Sequence, residues 1–369
     1  MKEKLKNLDQ KKIYFVAGGF ILAIIILLLG GAFIYNKFFY KRSYKEIEEI
    51  MVKSAQNYLS KDKDKLPKNY NDEITLTDSD LVNAKEMKSI QEYLKDEESP
   101  CTGNVVITNI NGKYRYTPSL DCKDNYQTVK FIDYIKKTVP VITAGNGLYQ
   151  SNEDLIYRGD NVNNFLKLNN KIYRIVKFQN NQTVIISTEK TESIPWDDRY
   201  NVQKNSTMGI NDYSVSRIKE YLEKLYKGNK LLTEEDKLLT VAHNLEIGKR
   251  DGNATDKTGA LEKSAIIENQ FIGLLPLYDF LNASLDQNCT TSNSRSCVNY
   301  NYLSKYNYPW WSMSATPKNT YQVYRIKSKG SAIETSASNS SYVRIVLHLS
   351  KDTRYVSGTG SEDDPYIIK

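Results

Sequence analysis

Histidine is the rarest residue type in this chain of 369 residues, with only His243 and His348 present. Neither belongs to a recognisable nucleophile or zinc motif, because the sequence contains no Gly-x-Ser-x-Gly and no His-Glu-x-x-His pattern. A phosphate-binding loop is also missing, since the Gly145–Gly147 segment lacks the lysine and helix that such a loop requires. The sequence therefore predicts no catalytic residue, no metal ligand and no cofactor, and we interpret both histidines as structural.

A strong net charge is lacking as well. The 51 basic residues nearly balance the 44 acidic ones and leave a net charge of +7, which gives no indication of a nucleic-acid partner. Apolar residues make up 40% and charged residues 26%, values that exclude a disordered chain, a collagen-like chain and a polytopic membrane protein. The length allows two or three domains.

One long apolar run is nevertheless present. Ile13 to Tyr35 contains 23 residues without a charge, and as a helix it would measure about 34 Å, enough to cross a bilayer core. A cleaved signal peptide has a shorter apolar region of about 7–15 residues that ends in small residues. The run therefore predicts an uncleaved transmembrane helix.

The cysteines decide the predicted orientation, because basic residues flank both ends of the apolar run. All four cysteines follow the run and form two close pairs in sequence, Cys101 with Cys122 and Cys289 with Cys297. Paired cysteines are typical of an oxidising compartment. We therefore expect a plasma-membrane protein with a short cytoplasmic tail and everything after Tyr35 outside the cell.

The segment after the membrane run predicts a stalk helix. Apolar residues recur at spacings of three and four from Tyr44 to Tyr58, and no glycine or proline occurs between Gly31 and Pro67. A helix could thus continue from the membrane to about Leu59. The alternative is two helices separated near Lys41.

A β-hairpin is predicted around Asn111-Gly112, the dipeptide most typical of two-residue hairpin turns. Counting outward from this turn places Cys101 directly opposite Cys122, at a non-hydrogen-bonded pair within disulfide reach. Pro118 must then lie on an edge strand or at an irregularity, because it cannot donate to a neighbouring strand.

This N-terminal layout, a membrane helix followed by a small disulfide-bonded antiparallel sheet, resembles type IV pilins and pseudopilins over about residues 13–139. A prepilin has a Gly-Phe cleavage site just before its apolar run and a glutamate five residues later. Here Gly19-Phe20 lies inside the run and Ile24 occupies the glutamate position. These departures argue against processing by a prepilin peptidase.

The remaining residues predict a larger α+β domain that begins near residue 140. Strands are expected at Lys171–Phe178, Thr183–Ser187 and Tyr342–Leu349, and an amphipathic helix at Ser214–Tyr226. Thr233 opens a further helix through a capping box with Asp236.

Several phrases of this region occur in a characteristic order. They are YRGDNVNNFLKLNNKIYRIV at 157–176, IGLLPLYDFLNAS at 272–284, the Cys289–Cys297 pair, WWSMSATP at 310–317, VRIVLHLS at 343–350 and GTGSEDDPYIIK at 358–369. Together they resemble an uncharacterised extracellular domain of surface proteins from low-GC Gram-positive bacteria. The tryptophan pair followed by a late strand is also similar to C-type-lectin-like and formylglycine-enzyme-like folds. The resemblance implies surface display and no catalytic residue.

A binding surface is predicted at Tyr308, Trp310 and Trp311, because flat aromatic side chains suit sugar rings. Neighbouring strand residues point to opposite faces, so the two tryptophans cannot both be buried on one side of a strand. The alternative is that both belong to the core. The acidic turn Glu362–Asp364 is interpreted as a solvated turn, with Ca²⁺ binding as its alternative.

The predicted organisation has four parts: a cytoplasmic tail at 1–12, a transmembrane helix at 13–35, a stalk helix with a small pilin-like domain at 36–139, and an extracellular α+β domain at 140–369. The predicted function is non-enzymatic binding or structural display at the cell surface, with a wall polymer, a host glycan or a protein as partner. Two alternatives are a pseudopilin-like component of a secretion or DNA-uptake machine and an extracellular enzyme that acts on wall polymers.

Overall fold

The computed structural model describes residues 40–168 and 170–369, which form two compact units divided between Thr128 and Val129. The predicted cytoplasmic tail at 1–12 and transmembrane helix at 13–35 lie outside the described residues. Among the residues that are described, no helix combines the length and apolar character needed to cross a membrane. Both units mix helix and strand, so the chain is α+β, with sheet predominating and few helices.

The first unit pairs one long helix with a small sheet. Its elements are helix α1 (Tyr44–Lys61), strand β1 (Glu73–Thr77), helices α2 (Asp78–Asn83) and α3 (Ile90–Leu94), and strands β2 (Thr102–Ile110) and β3 (Lys113–Asp121). The three strands are antiparallel in the order β1-β2-β3.

Helix α1 belongs to the core of this unit, and the prediction of a continuous stalk is wrong. Residues 40–43 are not helical, and Ser43 starts the helix through a capping box with Glu46. These hydrogen bonds from Ser43 lower the pKa of the Glu46 carboxyl to about 2. The apolar stripe that includes Ile47, Met51 and Ala55 is fully buried in the same cluster as strands β2 and β3. Burial of this stripe makes α1 a part of the small domain.

The predicted hairpin register and its disulfide are confirmed. Ile110 pairs with Lys113 across the Asn111-Gly112 turn, and the register continues outward to Thr102 and Asp121. Cys101 and Cys122 follow directly, with Cα atoms 4.0 Å apart, and form a disulfide. Pro118 lies on β3, an edge strand of this sheet, so its missing N–H leaves no neighbouring strand unpaired.

The second unit contains most of the sheet. Its strands are β4 (Gly147–Ser151), β5 (Asp154–Arg158), β6 (Phe165–Leu168), β7 (Lys171–Gln179), β8 (Gln182–Ser187), β9 (Ser193–Pro195), β10 (His243–Glu246), β11 (Ile266–Gln270), β12 (Trp310–Ala315), β13 (Gln322–Ile326), β14 (Ala332–Ser336), β15 (Ser340–Tyr342), β16 (Val346–Leu349), β17 (Tyr355–Ser357) and β18 (Tyr366–Ile368). Its helices are α4 (Phe131–Thr138), α5 (Arg217–Lys227), α6 (Glu234–Leu239), α7 (Ala260–Lys263) and α8 (Leu277–Asn282).

Three sheets share this second core. An eight-stranded sheet follows the path β16-β8-β7-β6-β18-β17, with β5 pairing β7 and β4 pairing β5. A five-stranded sheet has the order β14-β13-β12-β15-β9, and β10 with β11 forms a two-stranded ribbon. The long central strand β7 contributes buried residues to both of its faces, as expected for a strand covered on two sides.

The boundary between the units lies earlier than the predicted junction after residue 139. Helix α4 buries Phe131, Ile132 and Ile135 in the core of the second unit, with Phe131 packing against Tyr366 at 5.3 Å between ring centroids. Helix α4 therefore belongs to the larger unit.

The predicted strands and helices of the second unit are confirmed, with small shifts in where they begin and end. Strands β7 and β8 match the predicted pair, and Thr233 forms the predicted capping box with Asp236 at the start of α6. The predicted strand at 342–349 is divided into β15 and β16, and α5 begins after Ser216, whose side chain caps it. Gly228 ends α5 with an ordinary negative φ of −76°, so its conformation does not require glycine.

Candidate functional site

Two of the three residues of the predicted aromatic surface are not available to a ligand, because both tryptophans belong to the core. Trp310 is 1% exposed and Trp311 is fully buried. Trp310 meets Phe280 of α8 edge to face, and the Trp311 Nε1–H donates a hydrogen bond of 2.8 Å to the carbonyl of Ile194. Both indoles are buried because β12 is an inner strand whose two faces are covered.

Tyr308 is half-buried and is the only one of the three predicted binding residues with an accessible surface. Its hydroxyl donates a hydrogen bond of 2.8 Å to the carbonyl of Thr188, and its ring meets Tyr342 edge to face. Lys190 lies over both tyrosine rings. This is a small cation–aromatic contact on the surface and does not enclose a ligand.

The structure instead brings the two histidines of the chain together. His243 begins β10 and His348 lies on β16, and their rings stack in parallel with centroids 3.6 Å apart. The sequence places His243 shortly after a predicted helix that starts at Thr233, but this helix, α6, ends at Leu239 and His243 belongs to a strand. Two residues that are remote in sequence thus form one imidazole pair.

The hydrogen bonds of this pair leave a buried ring nitrogen of His243 without a partner. The His348 Nδ1 lies 2.9 Å from Gln182 Oε1, and the His243 Nδ1 lies 3.4 Å from the carbonyl oxygen of Val241. The His243 side chain is only 8% exposed, yet its Nε2 has no hydrogen-bond partner. With Nδ1 as the donor in neutral His243, Nε2 is an unsatisfied acceptor.

A polar cleft of about 700 Å³ opens beside the histidine pair. Five amide side chains, three carboxylates and one ammonium group line it, together with both imidazoles and the half-exposed side chain of Ile266. The amides belong to Asn152, Gln179, Asn180, Gln182 and Asn244, the carboxylates to Glu153, Asp154 and Glu246, and the ammonium group to Lys263. This cleft, called the histidine cleft below, is rich in hydrogen-bonding groups and weakly acidic.

A buried ion pair lies behind the histidine cleft. A second cavity of about 30 Å³ shares His243, Glu246 and His348 with the cleft and is also lined by Lys177 and Asp279. The Lys177 Nζ lies 3.0 Å from Asp279 Oδ2, and both side chains are 95% or more buried. The Tyr278 hydroxyl accepts from Lys177 Nζ at 2.7 Å and donates to Glu246 Oε2 at 2.6 Å. A hydrogen-bonded chain therefore connects the buried pair with the cleft wall.

Burial shifts the titration of these groups. It lowers the pKa of His243 to about 4 and places the pKa of His348 well below its ordinary value, with the neighbouring His243 adding to the second effect. Burial raises the pKa of Asp279 to about 6, although Lys177 opposes that change. Both imidazoles are therefore neutral at pH 7 and can donate and accept hydrogen bonds.

We expect the histidine pair to make the second unit sensitive to mild acid. The unfolded chain binds a proton at His243 near pH 6.5, whereas the folded chain does so only near pH 4, so stability falls as the pH drops through this window. By pH 5 the His243 contribution amounts to about 2 kcal/mol of lost stability. Asp279 works in the opposite direction, since its folded pKa is raised.

The His243→Phe variant separates the effect of His243 on stability from that of Asp279. It keeps an aromatic ring in the stack and removes the nitrogen that titrates. Urea unfolding at pH 7 and pH 5 should show a larger loss of stability in the original protein than in the variant. Equal losses in the two proteins would contradict a role of the histidine pair in acid sensitivity.

The acidic turn Glu362–Asp364 and the two cysteine pairs are the features of the sequence that bear on metal binding. Within residues 40–168 and 170–369, no group of three or more His, Cys, Asp or Glu side chains has an arrangement that could hold a metal ion. The acidic turn Glu362–Asp364 accordingly forms no such group. The Cys289–Cys297 pair is a disulfide with Cα atoms 4.5 Å apart, as predicted from sequence proximity.

The comparisons with known proteins give no family for this chain. No protein-family model, no curated protein and no solved structure matches it. A functional role of the histidine cleft is therefore argued from its geometry alone.

Proposed function

We propose that the chain is a single-pass plasma-membrane protein whose second unit binds a polyhydroxylated ligand, a glycan of the cell wall or of a host, outside the cell. The histidine cleft is the observation on which this proposal rests. Its neutral amides and imidazoles can each donate and accept, as sugar hydroxyls do. The apolar run at 13–35, the two disulfides and the resemblance to surface domains of Gram-positive bacteria support the location.

The charges of the cleft narrow the class of ligand. Three carboxylates face one ammonium group, so a phosphate-rich polymer or a nucleic acid would meet repulsion. Carboxylates accept hydrogen bonds from hydroxyl and ammonium groups. We therefore favour a neutral or amino-substituted polysaccharide over an anionic polymer. The proposed function is non-enzymatic: the protein binds the polysaccharide and does not cleave it.

Binding can be tested with the full chain in detergent and with insoluble peptidoglycan, chitin and teichoic acid as probes. The variant Asn244→Ala with Glu153→Gln changes two exposed groups of the cleft wall and leaves the buried residues intact. Each lost hydrogen bond costs about 1 kcal/mol, so affinity for peptidoglycan or chitin should fall roughly tenfold to a hundredfold.

A matched control carries the same chemical changes elsewhere in the second unit. Asn307 and Glu192 are exposed and do not line the cleft. Asn307→Ala with Glu192→Gln should bind as the original protein does. Equal affinity of the cleft variant and the control, or preferential binding of teichoic acid, would contradict the proposal. Release of soluble sugar from the probes would favour a wall-polymer enzyme instead.

The packing of α1 on a three-stranded antiparallel sheet is the observation that favours the second candidate, a pseudopilin-like component of a secretion or DNA-uptake machine. This function would require processing at the membrane segment. N-terminal sequencing of the mature protein distinguishes the two candidates, because a surface-tethered binding protein keeps residues 1–35.

A further inference from the structure

The buried pair of Lys177 and Asp279 joins two elements that are far apart in the chain. Lys177 lies on β7 and Asp279 on α8. The Lys177 Nζ is 3.1 Å from Oδ1 and 3.0 Å from Oδ2 of the same carboxyl group. A nitrogen this close to both oxygens lies near the carbon between them, at roughly the 3–3.5 Å separation of a near-attack conformer.

The surroundings of the pair disfavour its charges. The side chains of Val184, Leu274 and Met313 line the same small cavity, and both charged groups are excluded from solvent. Removing an ion pair from water costs several kcal/mol per ion, which the mutual attraction of the charges only partly offsets. Asp279 Oδ2 has no properly directed hydrogen bond, and burial raises the pKa of this carboxyl to about 6.

We propose that Lys177 and Asp279 condense to an intramolecular amide that links β7 to α8. The proposal rests on their contact and burial, and it is independent of any ligand in the histidine cleft. An amino group held against a carboxyl group, away from solvent, is the reactant pair of amide formation. The product replaces two buried charged groups by one neutral amide.

The reaction needs no additional reactant. The Lys177 Nζ forms a bond to Asp279 Cγ, one C–O bond of the carboxyl group breaks, and its oxygen leaves as water. Counted from the ammonium–carboxylate pair, two of the three Nζ protons leave with that oxygen as water, and one remains on the amide. No atom is oxidised or reduced.

The Tyr278 hydroxyl is placed to carry the proton that the attacking amine loses. It lies 2.7 Å from Lys177 Nζ and is hydrogen-bonded to Glu246 Oε2. Glu246 also lines the histidine cleft, so protons can exchange with solvent along this chain of contacts. The buried pocket that holds the ion pair thus also contains a route for protons.

A tryptic peptide map of the full chain tests the proposal directly. Trypsin does not cleave after an acylated lysine, so a linked protein should yield residues 175–190 joined to residues 264–295. After reduction and alkylation of the disulfides, the joined peptides should be lighter than their sum by the mass of one water molecule. Tandem mass spectrometry would locate the bond at Lys177 and Asp279.

An unlinked protein would give separate peptides 175–177 and 178–190, together with an unmodified peptide 264–295, and this result would overturn the proposal. The variants Lys177→Arg and Asp279→Ala cannot form the bond and should lack the joined species. Should either variant fail to fold, the map of the original protein alone still decides between the two outcomes.

Discussion

Replacing Arg250 with methionine is expected to destabilise the second unit by about 3–5 kcal/mol. The Arg250 and Glu262 side chains are both completely buried, and the Arg250 Nε donates to Glu262 Oε1 at 2.7 Å. Removing the guanidinium leaves a buried carboxylate without its charge partner, which is among the costliest single changes in a core. Chemical unfolding followed by tryptophan fluorescence would measure the loss, because all three tryptophans are buried in this unit.

The control for this prediction is Arg217→Met, which removes an exposed ion pair. Arg217 Nη1 lies 3.3 Å from Glu220 Oε2, and both side chains are about half exposed. Such pairs contribute about 0.5 kcal/mol or less. Combining Arg250→Met with Glu262→Leu should recover part of the stability, since no charge then remains unpaired. Equal losses of stability in Arg250→Met and Arg217→Met would contradict the structural role of the pair formed by Arg250 and Glu262.

Glu262 also connects Arg250 to residues that lie behind the histidine cleft. Its Oε1 accepts from the Ser314 hydroxyl at 3.2 Å and from the Tyr278 N–H at 3.3 Å. Helix α7, which carries Glu262, also carries Lys263 of the histidine cleft. Loss of Arg250 is therefore expected to weaken ligand binding as well as stability.

Replacing Trp311 with alanine is expected to lower stability by about 3–5 kcal/mol, because the indole is fully buried and its truncation leaves a large cavity. The variant also loses the hydrogen bond from the indole N–H to the carbonyl of Ile194. A thermal melt should show a midpoint lowered by roughly 10 °C or more.

Trp311→Phe is the matched variant, since it retains an aromatic ring and removes only the indole N–H and part of the volume. Its loss of stability should lie well below that of Trp311→Ala. A Trp311→Ala protein that kept its thermal midpoint and lost affinity for a glycan would show that the indole belongs to a binding surface. Because Trp311 is buried, we expect the thermal midpoint of Trp311→Ala to fall instead.

Local sequence was sufficient for the elements whose geometry depends on neighbouring residues. The Asn111-Gly112 turn fixes which residues of β2 and β3 face each other, and that register alone places Cys101 opposite Cys122. The helix start at Thr233 could likewise be predicted, because a capping box is formed within four residues. Ser43 and Glu46 form a second such box, which marks a helix start that the periodic apolar pattern concealed.

The candidate site depended on contacts that no local pattern contains. His243 and His348 are on different sheets, and only the packing of β10 beside β16 stacks their rings. Lys177 and Asp279 are similarly separated, and their spacing gives no motif. Sequence periodicity indicates which face of an element is apolar, but the partner of that face is set by chain topology.

The sequence by itself determined the apolar run at 13–35, the α+β class, the hairpin register and both cysteine pairs, because each follows from composition or from short-range geometry. The tertiary structure alone decided that both faces of β12 are covered, so that Trp310 and Trp311 are core residues. It also decided that two histidines without any motif line a polar cleft. Burial and proximity across a fold result from how sheets stack, and alternation along one strand cannot show whether its second face meets water or another layer.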